Sequence, residues 1–247
     1  MLHTHTPAAS SPEELLFYRM PFHSPLRTLK FEDAVLKNVQ NGTVLLLWQN
    51  DRTVVIGRNQ TAEEEVNLAF AEKEQISVVR RTTGGGAVYH DAGNINFSLF
   101  TDLPEDQSFS LKMLAQPVMD ALHSLGLPAA FSGRNDLLLD DRKFCGTAAR
   151  IYENRILFHG CICYDVNLQL MEQVLTPPEE KLLRHGIRSV RSRVTNLAPF
   201  FEHIPAESFL QLLQDALLRD HQVVSLSDVI PDLVLLEAKG TAPERIL

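Results

Sequence analysis

The chain has 247 residues, of which 45% are hydrophobic and 22% are charged, a composition typical of a folded globular protein. It carries 23 Lys and Arg against 31 Asp and Glu, and the net charge of −8 disfavours a non-specific nucleic-acid-binding protein. Residues 1–14 lack the apolar run and basic cluster of a targeting peptide, and no window is long enough for a transmembrane helix. The three cysteines, Cys145, Cys161 and Cys163, are typical of reduced thiols. The sequence therefore predicts a cytoplasmic protein that binds neither nucleic acid nor a membrane.

The first predicted elements mix helices with short strands. Residues 1–16 are expected to form a mobile tail, followed by a helix over 29–39 and strands over 44–48 and 54–56. Thr61 and Glu64 form a capping-box pattern, which predicts a helix with Val66, Ala69 and Phe70 on one face. A strand over 77–80 then leads into three consecutive glycines at 84–86.

The second half begins with a strand over 94–100 whose side chains alternate. Its apolar face carries Ile95, Phe97 and Leu99, and its polar face carries Asn94, Asn96 and Ser98. A helix is predicted over 110–125, with Pro117 as a kink or a second start and Gly126 at its end.

The remaining predicted elements are strands over 136–139, 142–149 and 156–166 and a helix that starts at Pro205. Strands and helices do not alternate regularly, so the pattern favours an α+β fold with a central, mainly antiparallel or mixed β-sheet flanked by helices. No domain boundary is expected before about residue 180.

The densest functional pattern is the run from Arg80 to Asp91. Consecutive glycines are costly in a helix or a strand, but they let a backbone with exposed N–H groups approach a ligand closely. Arg80 or Arg81 could supply the charge that holds a phosphate or a carboxylate, and the polar face of the strand over 94–100 could line the same cleft. A flexible hairpin loop beside surface arginines explains the glycines alone equally well, and a solvated sheet face is the alternative for the polar strand residues, but the two segments together favour a cleft.

Two other segments carry charge at informative positions. Lys143 precedes a strand of small residues over 146–149, which would leave room for a ligand, although composition alone favours a charged hairpin tip there. The segment 187–197 contains three arginines that could bind an anion or an acidic partner, or could pair with nearby acids.

A metal site is a weaker hypothesis. His159, Cys161, Cys163 and Asp165 alternate along one strand face, but a structural zinc site needs four ligands in tetrahedral geometry and there is no CxxC pair. Ordinary burial of cysteine explains the pattern better. His90 taken alone is typical of a hydrogen-bonded core histidine.

In the same order along the chain, these segments resemble the lipoate–protein ligase family, the catalytic domain of the biotin/lipoate ligase superfamily. The matching segments are Arg80-Arg81-x-x-Gly-Gly-Gly-Ala-Val-Tyr-His-Asp, Gly133-Arg134-Asn135-Asp136, Lys143-x-x-Gly146, His159-Gly160 and the run from Ser189 to Leu197. The resemblance covers roughly residues 28 to 200, and several motifs in order are more specific than any one of them. It implies a catalytic domain over 17–247 with a fold like those of class II aminoacyl-tRNA synthetases and biotin ligases.

The resemblance also implies a reaction. Lipoate and MgATP would give lipoyl-AMP, and the lipoyl group would pass to a lysine of a lipoyl domain or a glycine-cleavage H-type protein. Lys143 would be the catalytic residue, because one ammonium between the carboxylate and the α-phosphate lowers their repulsion in the transition state. The implied lipoate-binding residues are Arg81, Gly85, Gly86, His90, Lys143 and His159. The implied ATP-binding residues are Arg81, Gly86, Ala87, Val88, Tyr89, Asn94, Asn135, Asp136 and Lys143, and Asp136 would also bind Mg²⁺.

One departure from the family concerns the C-terminus. Bacterial members commonly carry a further small domain that helps activation, and this accessory domain is expected to be absent here. The domain could then be a separate subunit, or be dispensable, or the protein could catalyse only transfer.

The sequence leaves three other functions open. An ATP-independent lipoyl or octanoyl transferase would use a cysteine thioester, and Cys145 would share a strand face with Lys143. A non-catalytic lipoate-binding or carrier-docking subunit is disfavoured by Lys143, which a pure binder does not need. A biotin ligase is disfavoured because its glycine- and arginine-rich loop has no counterpart.

Overall fold

The computed structural model describes residues 14–133, 135–176 and 194–231. The strands are β1 (Glu14–Arg19), β2 (Thr43–Trp48), β3 (Thr53–Ile56), β4 (Ser77–Arg80), β5 (Val88–His90), β6 (Asn94–Asp102), β7 (Ala130–Ser132), β8 (Asp136–Leu139), β9 (Arg142–Tyr152), β10 (Arg155–Cys163) and β11 (Gln222–Ser225). The helices are α1 (Pro25–Asn38), α2 (Ala62–Glu65), α3 (Leu68–Lys73), α4 (Leu111–Ser124), α5 (Leu168–Val174), α6 (Ala206–Leu218) and α7 (Leu226–Val229), with a 3₁₀ turn at Ala198–Phe201. None of the described helices is both long and apolar enough to cross a lipid bilayer.

These strands form two sheets. The large sheet has eight strands in the order β11-β1-β2-β6-β10-β9-β8-β7, and the small sheet has the order β4-β3-β5. In the large sheet β1 runs parallel to β2 and β11, whereas the other neighbours are antiparallel. The predicted α+β class with a mixed, mainly antiparallel sheet is therefore confirmed.

Helices α4 and α6 cover one face of the large sheet. Ile95 and Phe97 of β6 are fully buried there, as the alternation along β6 predicts. The hydroxyl of Ser110 accepts a hydrogen bond from the Met113 N–H and caps α4, and Pro117 lies inside a helix that continues through it. This face forms the largest apolar cluster among the described residues.

Helix α1 and the small sheet cover the opposite face. Phe31, Val35 and Leu36 of α1 pack against the large sheet, and Val55 of β3 joins the same apolar cluster. Helix α1 begins at Pro25, one turn earlier than the 29–39 prediction, because Pro occupies the first helical position, where no N–H is needed. The gap between α1, the small sheet and the large sheet is where the functional cavity lies.

Two predictions about the N-terminal half are wrong. The mobile tail does not extend to residue 16, because Leu15 and Leu16 are buried in β1; residues 1–13 lie outside the described part of the chain. The single helix after Thr61 is instead two short helices, α2 and α3. They are separated because Val66 is extended and bridges Leu175.

Candidate active site

A cavity lies between the large sheet, α1 and the small sheet. Its walls come from α1 (Leu29), β2 (Trp48), β3 (Val55), the glycine segment with β5 (Arg81, Gly85, Gly86, Ala87, Val88, His90), β6 (Asn96), β8 with β9 (Asn135, Lys143, Gly146, Thr147, Ala148) and β10 (His159, Gly160, Cys161). The cavity volume of about 90 Å³ is several times what one water molecule needs, so the cavity can take part of a larger ligand. The structure thus brings together residues that lie far apart in the sequence.

The triple glycine forms a tight loop that Arg81 holds from beneath. The Arg81 guanidinium donates to the carbonyl oxygens of Gly84 (2.7 Å) and Gly86 (2.8 Å) and to Val55 O (3.0 Å). Gly85 has φ +94°, a conformation that favours glycine, and Gly57 packs so closely that a Cβ there would collide with Gly85 O. The loop backbone is therefore fixed along the cavity wall.

Arg81 is largely occupied by these contacts. It is 6% exposed, its Nε also donates to Thr83 Oγ1 (2.9 Å), and burial lowers its pKa. Four hydrogen bonds use most of the five guanidinium donors. Arg81 lines the cavity and shapes the glycine loop, while its direct contact with a phosphate or a carboxylate stays a prediction.

A buried polar chain connects this loop to α1. Thr83 Oγ1 lies 2.8 Å from His159 Nε2, and His159 Nδ1 lies 2.8 Å from Glu32 Oε1. Glu32 also accepts a hydrogen bond from Ser98 Oγ (2.6 Å), which in turn accepts one from Trp48 Nε1 (2.8 Å). A carboxylate can only accept, so Nδ1 of His159 carries a proton and the ring orientation is fixed.

The sequence reasoning missed Glu32, although a signal was present. Glu32 lies on the apolar stripe of α1, three residues after Leu29 and four before Leu36, and it is 1% exposed. A buried charge needs partners, and the partners here are His159 and Ser98. A charged residue inside an apolar stripe of a predicted helix is therefore a pointer to a buried polar site.

Lys143 lies at the end of the cavity that β8 and β9 form. Its ammonium is 2.7 Å from Asp136 Oδ1, and the two side chains are 33% and 37% exposed. Burial lowers the pKa of Lys143, but neighbouring groups, led by the Asp136 carboxylate, together raise it above its ordinary value, so the ammonium stays charged at neutral pH. Gly146 lies directly beneath the ammonium and leaves room for it.

A β-bulge separates Lys143 from Cys145. On β8, Leu137 pairs with Cys145 and Leu138 pairs with Lys143, so Phe144 is the extra residue. Lys143 therefore faces the cavity, whereas Cys145 is fully buried in the core beneath α4 and α6. The prediction that the two share a face is wrong, and burial raises the pKa of the Cys145 thiol well above its ordinary value.

The other end of the cavity is formed by Trp48, His90 and Asn96. The rings of Trp48 and His90 meet edge to face at 6.0 Å. Asn50 Nδ2 lies 3.2 Å from His90 Nδ1, and burial lowers the pKa of His90 to about 3. His90 is therefore neutral at physiological pH and lines the cavity as an uncharged ring.

Of three expected ATP-binding residues, Asn135 lines the cavity, whereas Asn94 and Tyr89 do not. Asn94 is fully buried, donates to Ile162 O (3.0 Å) and does not line the cavity, because the backbone of Gly93 packs against that of Asp165 and covers the start of β6. Tyr89 points away, since Val88 and His90 take the cavity face of β5. Asn135 lines the cavity and its side chain donates to Thr147 O (2.8 Å).

Asp136 reaches the cavity through its ion pair with Lys143. Among the described residues, no group of three or more His, Cys, Asp and Glu side chains could hold a metal ion. A single carboxylate fits the way in which Mg²⁺ is usually held, by one or two carboxylates and the phosphates of a substrate. The arginine-rich segment falls largely outside the described residues, which resume at Val194, the bridge partner of Lys143.

Comparison with known proteins agrees with this geometry. Residues 24–218 match the lipoyl protein ligase A/B catalytic domain family. Lipoate-protein ligase LplJ of Bacillus subtilis is 39% identical over 181 residues, which are 73% of this chain and 55% of the relative. Lipoate-protein ligase A of Bdellovibrio bacteriovorus is 41% identical over 179 residues, which are 70% of this chain and 52% of the relative. The chain thus spans little more than half the length of these two curated relatives.

A solved structure shares the fold along nearly the whole chain. It comes from a study of an archaeal lipoylation system, the bi-partite lipoate protein ligase of Thermoplasma acidophilum and its E2 lipoyl domain. The TM-score is 0.72 at 28% identity, and the match covers 92% of each chain. The family resemblance seen in the sequence motifs is confirmed: the chain belongs to the lipoyl protein ligase A/B catalytic domain family.

Proposed function

We propose that this protein activates lipoate with ATP to form lipoyl-AMP and transfers the lipoyl group to a lysine of a carrier protein. The observation that carries the proposal is that one cavity combines the Lys143 ammonium, a fixed glycine backbone and an apolar slot. An acyl adenylate has an apolar chain, a carbonyl and a phosphate. The apolar slot fits the chain, the Lys143 ammonium fits the carbonyl and the phosphate, and the glycine backbone fits the nucleotide. Membership of the family supports the same reaction.

In the proposed binding mode the acyl chain lies in the apolar part of the cavity. Leu29, Trp48 and Val55 supply large apolar surfaces, and Ala148 on β9 leaves space between them. The carboxylate of lipoate would lie at the Lys143 end, where the positive charge is found. A dry slot of this kind orients the carboxylate toward the reacting phosphate.

Lys143 would act in both steps. In the first step a carboxylate oxygen attacks the α-phosphorus of ATP and pyrophosphate leaves, so negative charge accumulates between the two groups. An ammonium placed between them stabilises this charge, and Asp136 keeps Lys143 protonated. In the second step the neutral amine of the acceptor lysine attacks the lipoyl carbonyl, AMP leaves and the nitrogen gives up a proton to solvent, while Lys143 would stabilise the negative charge on the departing phosphate.

The glycine loop and Asn135 are proposed to hold the nucleotide. The loop backbone between Gly85 and Val88 lines the cavity, and Arg81 fixes its shape from behind. Asp136 would hold Mg²⁺ together with the phosphates of ATP, and the ion would neutralise phosphate charge. Tyr89 and Asn94 have a structural role in this proposal, since neither lines the cavity.

The proposed acceptor is a lipoyl domain or a glycine-cleavage H-type protein, and the proposed location is the cytoplasm. The Thermoplasma acidophilum relative is a bi-partite ligase, which supports a separate accessory subunit as one form of the active enzyme. The three cysteines are free thiols, in keeping with a reducing compartment.

The test is pyrophosphate release from purified protein with lipoate and MgATP, followed by transfer of the lipoyl group to a lipoyl domain. We expect release by the wild type and its loss in Lys143→Ala, while Lys112→Ala, at an exposed position on α4, serves as the control. If folded protein releases no pyrophosphate but transfers the acyl group from added lipoyl-AMP, activation needs a further subunit. If it does neither, the proposed function is wrong.

A further inference from the structure

Two hydrogen-bond donors in the cavity wall lack a partner. His90 Nε2 and Asn96 Nδ2 are buried and make no hydrogen bond within the described part of the chain. Their residues are 3% and 1% exposed, and both line the cavity. Buried donors are nearly always paired, because leaving one unpaired is unfavourable. A bound ligand is the natural source of the missing acceptor.

The orientation of the Asn50 amide assigns His90 Nε2 as a donor. The amide nitrogen of Asn50 lies 3.2 Å from His90 Nδ1, and an amide NH₂ group can only donate. Asn50 Oδ1 lies 2.8 Å from Thr28 Oγ1, whose single hydroxyl proton is shared between Asn50 Oδ1 and Pro25 O at 3.0 Å. Nδ1 of His90 is therefore the acceptor, and in the neutral ring the proton is on Nε2. The unpartnered atom is an N–H group that needs an acceptor.

Strand register places these donors away from Lys143. Trp48 on β2 pairs with Asn96 on β6, Asn96 pairs with Cys161 on β10, and Cys161 pairs with Gly146 on β9. Neighbouring strands are about 4.8 Å apart, so Trp48 and Gly146 are separated by about 14 Å. Lys143 lies over Gly146, whereas the His90 ring lies against Trp48. The donors thus face the part of the slot that receives the chain end remote from the carboxylate.

We propose that His90 and Asn96 form a polar subsite that selects acyl chains with hydrogen-bond acceptor atoms at the distal end. This inference rests on the proposed function. The sulfur atoms of the dithiolane ring of lipoate are such acceptors, whereas octanoate, of the same length, has only C–H groups there and leaves both donors unpaired. Sulfur is a weak acceptor, so the subsite favours lipoate over octanoate by about 2- to 10-fold.

The experiment measures the dissociation constants of lipoate and octanoate by calorimetry for the wild type, Asn96→Leu and His90→Phe. Both substitutions keep the approximate volume and remove the donor. We expect the wild type to prefer lipoate and each variant to lower the ratio of the two affinities by about 2- to 10-fold. The ratio compares two ligands on the same folded protein, so it is insensitive to a uniform loss of stability.

The control is Asn94→Leu, on the same strand. Asn94 is fully buried, donates to Ile162 O and does not line the cavity, so its replacement should alter stability but leave the affinity ratio unchanged. Equal affinities for both acids, a ratio that neither cavity variant changes, or no binding of lipoate would overturn the inference. If the wild type prefers lipoate and the two cavity variants lose this preference, but the wild type releases no pyrophosphate, the result would support the subsite and count against the proposed function alone.

Discussion

Gly146→Ala tests the position of the Lys143 ammonium, the proposed catalytic group. An alanine Cβ at this position would lie 2.9 Å from Lys143 Nζ and 3.1 Å from Lys143 Cε. Non-bonded heavy atoms attract each other best at about 3.5 Å or more, so the ammonium must move by about 0.5 Å or more. A misplacement of about 1 Å can cost about 100-fold in rate, and we therefore expect kcat/KM to fall by about 10- to 100-fold.

The same substitution should leave the fold intact. The atoms that Cβ would meet are the far end of a flexible side chain, and Gly146 does not have a positive φ. Gly→Ala at a compatible position stabilises a protein by about 0.4–1 kcal/mol through the unfolded state. We expect the free energy of unfolding to be unchanged or slightly raised.

Gly160→Ala is the matched comparison on the neighbouring strand β10. Its Cβ would lie 2.5 Å from Cζ of the fully buried Phe97, and this crowding should lower the free energy of unfolding by about 1–3 kcal/mol. The assays are pyrophosphate release with lipoate and MgATP, and urea unfolding. If Gly146→Ala retained full activity, Lys143 would not react from the position seen here, and the reasoning would be refuted.

Three further predictions concern the buried network, the alternative nucleophile and the charge of Lys143. Glu32→Leu removes the acceptor for His159 Nδ1–H and should lower the free energy of unfolding by about 2–4 kcal/mol in urea denaturation, while Glu32→Gln should lose less; equal losses would contradict this account. Cys145→Ala should retain acyl transfer to a lipoyl domain, because Cys145 is buried in the core, and abolished transfer would favour the thioester mechanism. Asp136→Asn removes the carboxylate that raises the pKa of Lys143, so the ammonium should lose its proton at lower pH. The alkaline limb of pyrophosphate release should move to lower pH, and an unmoved limb would mean that Lys143 does not control it.

Several features of the site could be predicted because their signals are local. The alternation along β6 identified the core face with Ile95 and Phe97, and the strand at 136–139 agrees with β8 at both ends. A close backbone approach was one of two interpretations of the triple glycine, and the charged hairpin tip favoured at 140–143 is the turn between β8 and β9. Period-2 patterns and glycine runs report on backbone conformation within a few residues.

Other features depend on how distant segments meet. The bulge at Phe144 moves Cys145 to the opposite face from Lys143, and no propensity marks it in the sequence. The sequence around Arg81 predicted an anion-binding site, with the arginine next to a glycine loop. In the structure the Arg81 guanidinium is largely used by backbone carbonyl oxygens of that same loop.

The sequence by itself determined the α+β class, the family and the chemical types in the cavity, because these follow from local periodicity and from motifs in order. Only the tertiary structure decided which groups are paired and which are left open. Glu32 and His159 are 127 positions apart and meet at 2.8 Å, and His90 Nε2 is left without a partner among the described residues. Hydrogen-bond pairing of buried groups is a property of three-dimensional proximity, which residue types and spacing do not encode.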